Sequence, residues 1–228
     1  MVARTASPRS AARSALLAGA SGLVGRALLA GLLASDDHAP VHALLRRSLP
    51  DLPAHPRLAI HVVDFDRLPP LPHVDDAFIA LGTTIKAAGS QAAFRRVDFD
   101  AVLATARAAQ AAGATQVLVV SALGADAHSR VFYNRVKGEM QRAVAALGFR
   151  SVVFAQPSLL LGDRAALGQP PRAGEALAQR LVRPVLGLLP RSVRPIRADA
   201  VARALLQAAR AAQPGVRVLV SAQMQDGD

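Results

Sequence analysis

A doubly wound α/β fold, a parallel sheet with helices on both faces, is what three features of this 228-residue sequence predict. Short apolar runs alternate with longer segments of helical period along most of the chain. Those runs are nearly continuous in aliphatic residues, as in strands buried on both faces. A glycine-rich turn joins the first run to the first helical segment.

Ser14–Ala18 is the first predicted strand. Leu23–Ala34 is the first helix, with Val24, Leu28 and Leu32 recurring on one face. Further strands are predicted over Val41–Leu45, Leu58–Val63 and Ala77–Leu81. Ser90–Ala112 has helical period, with a possible break near Val97, and Gly113 stops it. Gln116–Val120 is a fifth strand, Arg130–Leu147 a helix closed by Gly148, and Ser151–Ala155 a sixth strand. Repeated units of this length, joined by right-handed crossovers, make the Rossmann arrangement. Beyond Gln156, prolines at 157, 170, 171, 184, 190 and 195 cut the chain into loops and short helices. A last helix over Ala198–Ala212 and a strand over Val216–Ser221 are expected to return to the sheet. The organisation predicted is one domain over 14–228, with a small C-terminal lobe near 157–197, behind a disordered basic tail over 1–13.

Composition narrows the function. An apolar fraction of 52% with 19% charged residues describes a globular chain. The absence of cysteine excludes disulfides and thiolate metal sites. The histidines are scattered, and no metal is expected. The net charge of +11 raises the question of nucleic acid. Its basic residues are spread from Arg4 to Arg217 with no interleaved aromatic platform, so no specific nucleic-acid partner is expected. Residues 1–13 have the Arg/Ser-rich, acid-poor composition of an organelle transit peptide, but a short tail is the plainer reading. The apolar stretch 14–34 is interrupted by Arg26 and by glycines, which fits strand–turn–helix rather than a membrane span. A cytoplasmic protein, monomer or homodimer, is expected.

The turn reads Gly19-Ala20-Ser21-Gly22-Leu23-Val24-Gly25. Glycine allows positive φ and lets backbone N–H groups approach a pyrophosphate without a Cβ in the way. The helix that follows adds free N–H donors and a partial positive charge. A dinucleotide site is therefore predicted at Gly19, Ser21, Gly22, Leu23, Val24 and Gly25. The second strand should end at the adenosine ribose, where a carboxylate suits NAD and an arginine the 2′-phosphate of NADP. It ends in Arg46-Arg47, whereas Asp36 and Asp37 precede it, so NADP(H) is expected over NAD. Asp64 is placed to contact the adenine edge, or simply to cap a turn. Leu81-Gly82-Thr83-Thr84, after the fourth strand, is expected along the ribose and phosphates.

Tyr133 is the single tyrosine, and it stands four residues before Lys137, one of two lysines. On a helix that spacing puts both on one face. An ammonium beside a phenol favours the phenolate, and its compact head suits ribose hydroxyls. Ser121, ending the fifth strand, is expected to bond the substrate oxygen. Together these three would exchange a proton with a carbonyl or alcohol oxygen.

With those residues in hand, the chain resembles the short-chain dehydrogenase/reductase superfamily, and its GxxGxxG spacing is similar to the extended and atypical branches. Leu81-Gly-Thr-Thr84, Arg96-Val-Asp98, Phe132-Tyr133 and Val136-Lys-Gly-Glu139 resemble the Tat-interacting oxidoreductase group. The resemblance implies NADPH as cofactor, Ser121, Tyr133 and Lys137 as catalytic candidates, and Pro157-Ser158 at the edge of the nicotinamide pocket. Many superfamily enzymes carry an asparagine on the central helix, and Asp98 falls in that neighbourhood here. The leading expectation is an NADP(H)-dependent oxidoreductase acting on a small carbonyl or alcohol. The alternatives are a non-enzymatic NADPH-binding regulator and a nucleotide-sugar epimerase or dehydratase. The apolar segment 173–189 is compatible with an apolar substrate or with core packing.

Overall fold

The computed structural model describes residues 12–161, 190 and 192–225. Its elements are strand β1 (Arg13–Ala18), helix α1 (Leu23–Ala34), β2 (His38–Leu45), β3 (Leu58–Val62), β4 (Asp76–Ile79), the short helices α2 (Ile85–Ala88) and α3 (Gln91–Arg95), a π-helical turn over Arg96–Ala101, α4 (Val102–Ala111), β5 (Gln116–Val120), α5 (Phe132–Ala145), β6 (Ser151–Gln156), β7 (Leu160–Leu161), β8 (Ile196–Arg197), α6 (Ala198–Ala211), β9 (Gly215–Val220) and α7 (Ser221–Gln225). Seven strands form a parallel sheet in the order β3-β2-β1-β4-β5-β6-β9. Strand order reverses between β1 and β4, and the crevice beyond their C-terminal ends is where such sheets take ligands.

Alternation along each central strand sends side chains to two cores. Leu17, Phe78, Leu118 and Val153 meet Leu28 and Leu32 of α1 and Val201 and Leu205 of α6. Leu16, Ile79, Val119 and Phe154 meet Val102 and Ala106 of α4 and Met140 and Val144 of α5. Both faces are thus covered, which is why the strands carry no polar alternation.

Differences from the sequence reading are local. β1 begins at Arg13, one residue inside the span expected as tail. Its guanidinium is bidentate to Asp76, with both contacts at 2.7 Å, and this ties the strand down. β2 begins at His38, because His38 bonds the same carboxylate at 2.9 Å. The long helical segment is three pieces, and the irregularity near Val97 is the π-helical turn. A separate ladder joins Leu160–Leu161 to Ile196–Arg197. The remainder of the predicted C-terminal lobe, including the apolar segment 173–189, lies outside the described residues, as does the tail over 1–11. No helix among the described residues is long and apolar enough to cross a membrane.

Candidate functional site

β1 ends in Gly19, whose φ of +95° carries the chain into the turn. A Cβ there would lie 2.5 Å from the Ala80 carbonyl carbon, so only glycine lets the turn pass the end of β4. The Gly22 N–H donates to the Gly19 carbonyl at 3.0 Å, and Gly22 caps α1 without a side chain. Gly25 is buried, and a Cβ on it would overlap the Gly19 carbonyl oxygen. At Gly22 the nearest atom to a Cβ is 3.5 Å away, leaving the backbone open to a group approaching the helix N-terminus. That cradle fits a pyrophosphate. Val24 is buried in the core and Leu23 packs against it, half-buried. Ser21 is exposed.

Arg46 and Arg47 follow β2, both exposed and without a carboxylate partner among the described residues. Asp37, at the opposite end of β2, is held by Arg210 at 2.6 Å. Hydrogen bonds from Ser35 and Arg210 keep its carboxyl below the usual range. Arg26, directly after the glycine turn, pairs with Asp51 in the loop beyond the arginine pair. Asp64 accepts the Asp66 N–H at 3.0 Å, the bond that the turn-capping alternative requires.

Beyond β4, Leu81 packs on the core and Thr84 caps α2 by accepting the Ala87 N–H at 3.1 Å. The Thr83 N–H donates to Asp98 at 2.8 Å. Asp98 is fully buried in the π-helical turn, and its other oxygen meets Lys137 Nζ at 2.7 Å. Tyr133 and Lys137 stand on one face of α5, where Phe94 lies 5.2 Å from the Tyr133 ring centroid. Tyr133 is half-buried, and its hydroxyl carries no hydrogen bond among the described residues.

Ser121, buried just past β5, accepts a hydrogen bond from Gln141 Nε2 at 2.6 Å. Gln141 Oε1 in turn accepts from Gln156 Nε2 at 3.3 Å. Neither glutamine was singled out from the sequence, although Gln141 continues the Tyr133–Lys137 spacing by one more helical turn. Pro157 is buried, and its carbonyl accepts the Leu123 N–H at 2.9 Å. The Ser158 hydroxyl donates to the Arg194 carbonyl and pairs with Ser221 at 2.9 Å. Its side chain therefore braces the C-terminal segment.

His38 and His42 stand four residues apart, an interval that gathers ligands on a helix but not on a strand. They serve different partners, Asp76 and His61. Burial, with His61 nearby, pushes the His42 imidazole down. No cluster of three or more potential metal ligands exists among the described residues.

A glycine cradle at the strand-order reversal, backed by a helix N-terminus, defines a nicotinamide-dinucleotide-binding Rossmann protein. The chain belongs to the NAD(P)H-binding family, whose pattern it matches over residues 19–150. It is 36% identical over 152 residues to Protein FMP52, mitochondrial, of Eremothecium gossypii, covering 66% of this chain and 68% of that protein. Over 173 residues it is 36% identical to Protein HTATIP2 of Rattus norvegicus, covering 74% and 69%. Among solved structures, a short-chain dehydrogenase/reductase family oxidoreductase from Burkholderia thailandensis matches with a TM-score of 0.66 at 21% identity, over 96% of this chain and 95% of that one. MoeE5 in complex with UDP-glucose and NAD matches at 0.67 and 20%, over 90% and 75%. At that identity the likeness is one of fold. The expected cytoplasmic location is contradicted by these relatives: FMP52 proteins from several fungi are named mitochondrial.

Proposed function

We propose that this protein is an NADP(H)-dependent oxidoreductase that reduces a small carbonyl, or oxidises the matching alcohol, through Ser121, Tyr133 and Lys137. The observation that carries the reading is the placement of Tyr133 and Lys137 on one face of α5, with the Lys137 ammonium 2.7 Å from Asp98 beside the loop after β4. On this reading the glycine turn holds the pyrophosphate through its backbone and the α1 N-terminus. Arg46 and Arg47, free of carboxylate partners among the described residues, take the 2′-phosphate. When bound there, the nicotinamide would supply or accept the hydride.

The remaining work is done by side chains. A hydroxyl has one proton and two lone pairs. Gln141 occupies a lone pair of Ser121, so the Ser121 proton is free to be donated to the substrate oxygen. Tyr133, whose hydroxyl has no partner among the described residues, transfers its proton to that oxygen as charge develops on it. Phe94 against the Tyr133 ring restricts where the hydroxyl points. Lys137 orients the nicotinamide ribose through the donors that Asp98 leaves over.

The test is oxidation of NADPH by purified protein across a panel of small aldehydes and ketones, with Tyr133→Phe as control. Turnover by the wild type and not by the variant, with equal NADPH binding, is the expected result. NADPH binding by both without turnover of any carbonyl or alcohol would leave a binding protein in place of an enzyme.

A further inference from the structure

We propose that Asp98 is a positioning residue for the nicotinamide half of the cofactor, acting through Lys137; the inference rests on the dinucleotide reading above. Asp98 has no exposed surface, and the Lys137 side chain is only 4% exposed. An unpaired ammonium at that depth is costly, and a carboxylate at 2.7 Å supplies the missing partner. The same carboxylate accepts the Thr83 N–H through its second oxygen at 2.8 Å. One side chain thereby joins the loop after β4 to the lysine of α5. The pair lies directly over Gly82, where an added Cβ would be 3.3 Å from Asp98 Oδ1 and 3.7 Å from Lys137 Nζ.

Two features make this more than a buried ion pair. First, Asp98 sits within a π-helical turn, a local departure from α-helix that is common at functional sites. Second, an ionised carboxylate only accepts hydrogen bonds. Asp98 therefore donates nothing to a proton relay; it takes one of the three ammonium donors and leaves the others for incoming hydroxyls. An asparagine at 98 that kept the Thr83 contact would present its NH2 group to the ammonium, and Lys137 would lose its orientation. The vicinal hydroxyls of the nicotinamide ribose are the chemistry that such a fixed ammonium suits, while the adenosine end of the ligand is held by the glycine turn and the arginine pair.

The experiment is calorimetric titration of wild type, Asp98→Asn, Lys137→Met and the double variant. The ligands are NADPH and adenosine 2′,5′-bisphosphate, which carries only the adenosine end. Asp98→Asn is expected to weaken NADPH by about tenfold or more and the bisphosphate by less than about twofold. On the Lys137→Met background, Asp98→Asn should add less than about twofold, because its effect passes through the lysine. An equal loss for both ligands, no loss for NADPH, or the same NADPH penalty on both backgrounds would overturn the proposal while the dinucleotide site stands. A wild type that binds neither ligand would remove that site and this inference together. Should Asp98→Asn fail to fold, Gly82→Ala presses a methyl group on the same carboxylate and is expected to give the same NADPH-selective loss; an equal loss for both ligands, or no loss for NADPH, in that variant would count against the proposal.

Discussion

At the N-terminal end of the sheet, the first residues of four strands close on one another. Asp76 accepts from Arg13, from His38 at 2.9 Å and from Gln116 at 2.9 Å, and Gln116 also donates to the Ala209 carbonyl at 3.1 Å. At the C-terminal end the same kinds of group are left with unused capacity. Tyr133 and the Arg46-Arg47 pair have no polar partner among the described residues, and Ser121 accepts without donating. Buried polar groups that are satisfied by one another hold a fold together; groups oriented but unfilled are available to a ligand. The contrast separates residues that serve stability from residues that serve binding, and each can be tested by breaking one without the other.

The largest expected effect is functional. Tyr133→Phe removes one oxygen and no packing surface. Turnover in the NADPH oxidation assay should fall by about 10²–10⁴-fold, with thermal midpoint and NADPH affinity unchanged. A drop in thermal midpoint would mean that the tyrosine belongs with the stabilising set.

Next comes the opposite end. Asp76→Ala strips the shared acceptor from three side chains and should cost about 3 kcal/mol in urea denaturation, the lower end for a buried pair because Arg13 is partly exposed and regains water. NADPH affinity of the folded variant should match the wild type. Protonation probes the same carboxylate. Burial pushes the Asp76 carboxyl up, but the hydrogen bonds from His38, Arg13 and Gln116 and the Arg13 charge outweigh it and hold the group below its ordinary value. A depressed folded-state pKa contributes stability that is present above the unfolded value and lost as pH falls through the folded one. The thermal midpoint should therefore decline with acidification below about pH 4, and less steeply in Asp76→Asn than in wild type. Equal slopes would assign acid sensitivity to other carboxylates.

A smaller effect is expected between the two regions. Gln141→Leu removes the donor that fixes Ser121 and should lower kcat by roughly tenfold, within the range of a hydrogen bond to a reacting group. KM for NADPH should not move. Loss of NADPH affinity would place Gln141 with the cofactor and not with the serine.

Much of the fold was legible because its signals are local. The aliphatic runs at 14–18 and 116–120 read as buried strands, and Gly113 and Gly148 stand where helices end. The glycine turn and the Tyr133–Lys137 spacing were legible for the same reason, since each lies within one turn or one helix. Contacts across the chain were not. Asp98 meets Lys137 only because the π-helical turn and α5 pack together, and nothing in the spacing of two residues 39 apart announces it. Arg13 read as tail because its partner, Asp76, is three strands later in the chain. The β7–β8 ladder is too short to have a period, and the Ser158 hydroxyl meets Ser221 of α7, 63 residues further on, a contact no local spacing shows.

The most direct test of the central claim is a paired titration with NADPH and NADH, followed by cofactor fluorescence, which a chain without tryptophan leaves unobscured. The wild type should bind NADPH in the micromolar range and NADH far more weakly, and Arg46→Ala/Arg47→Ala should abolish the difference. Tighter NADH binding would contradict the role given to the arginines, and binding of neither nucleotide would contradict the account of the C-terminal end of the sheet as a dinucleotide site.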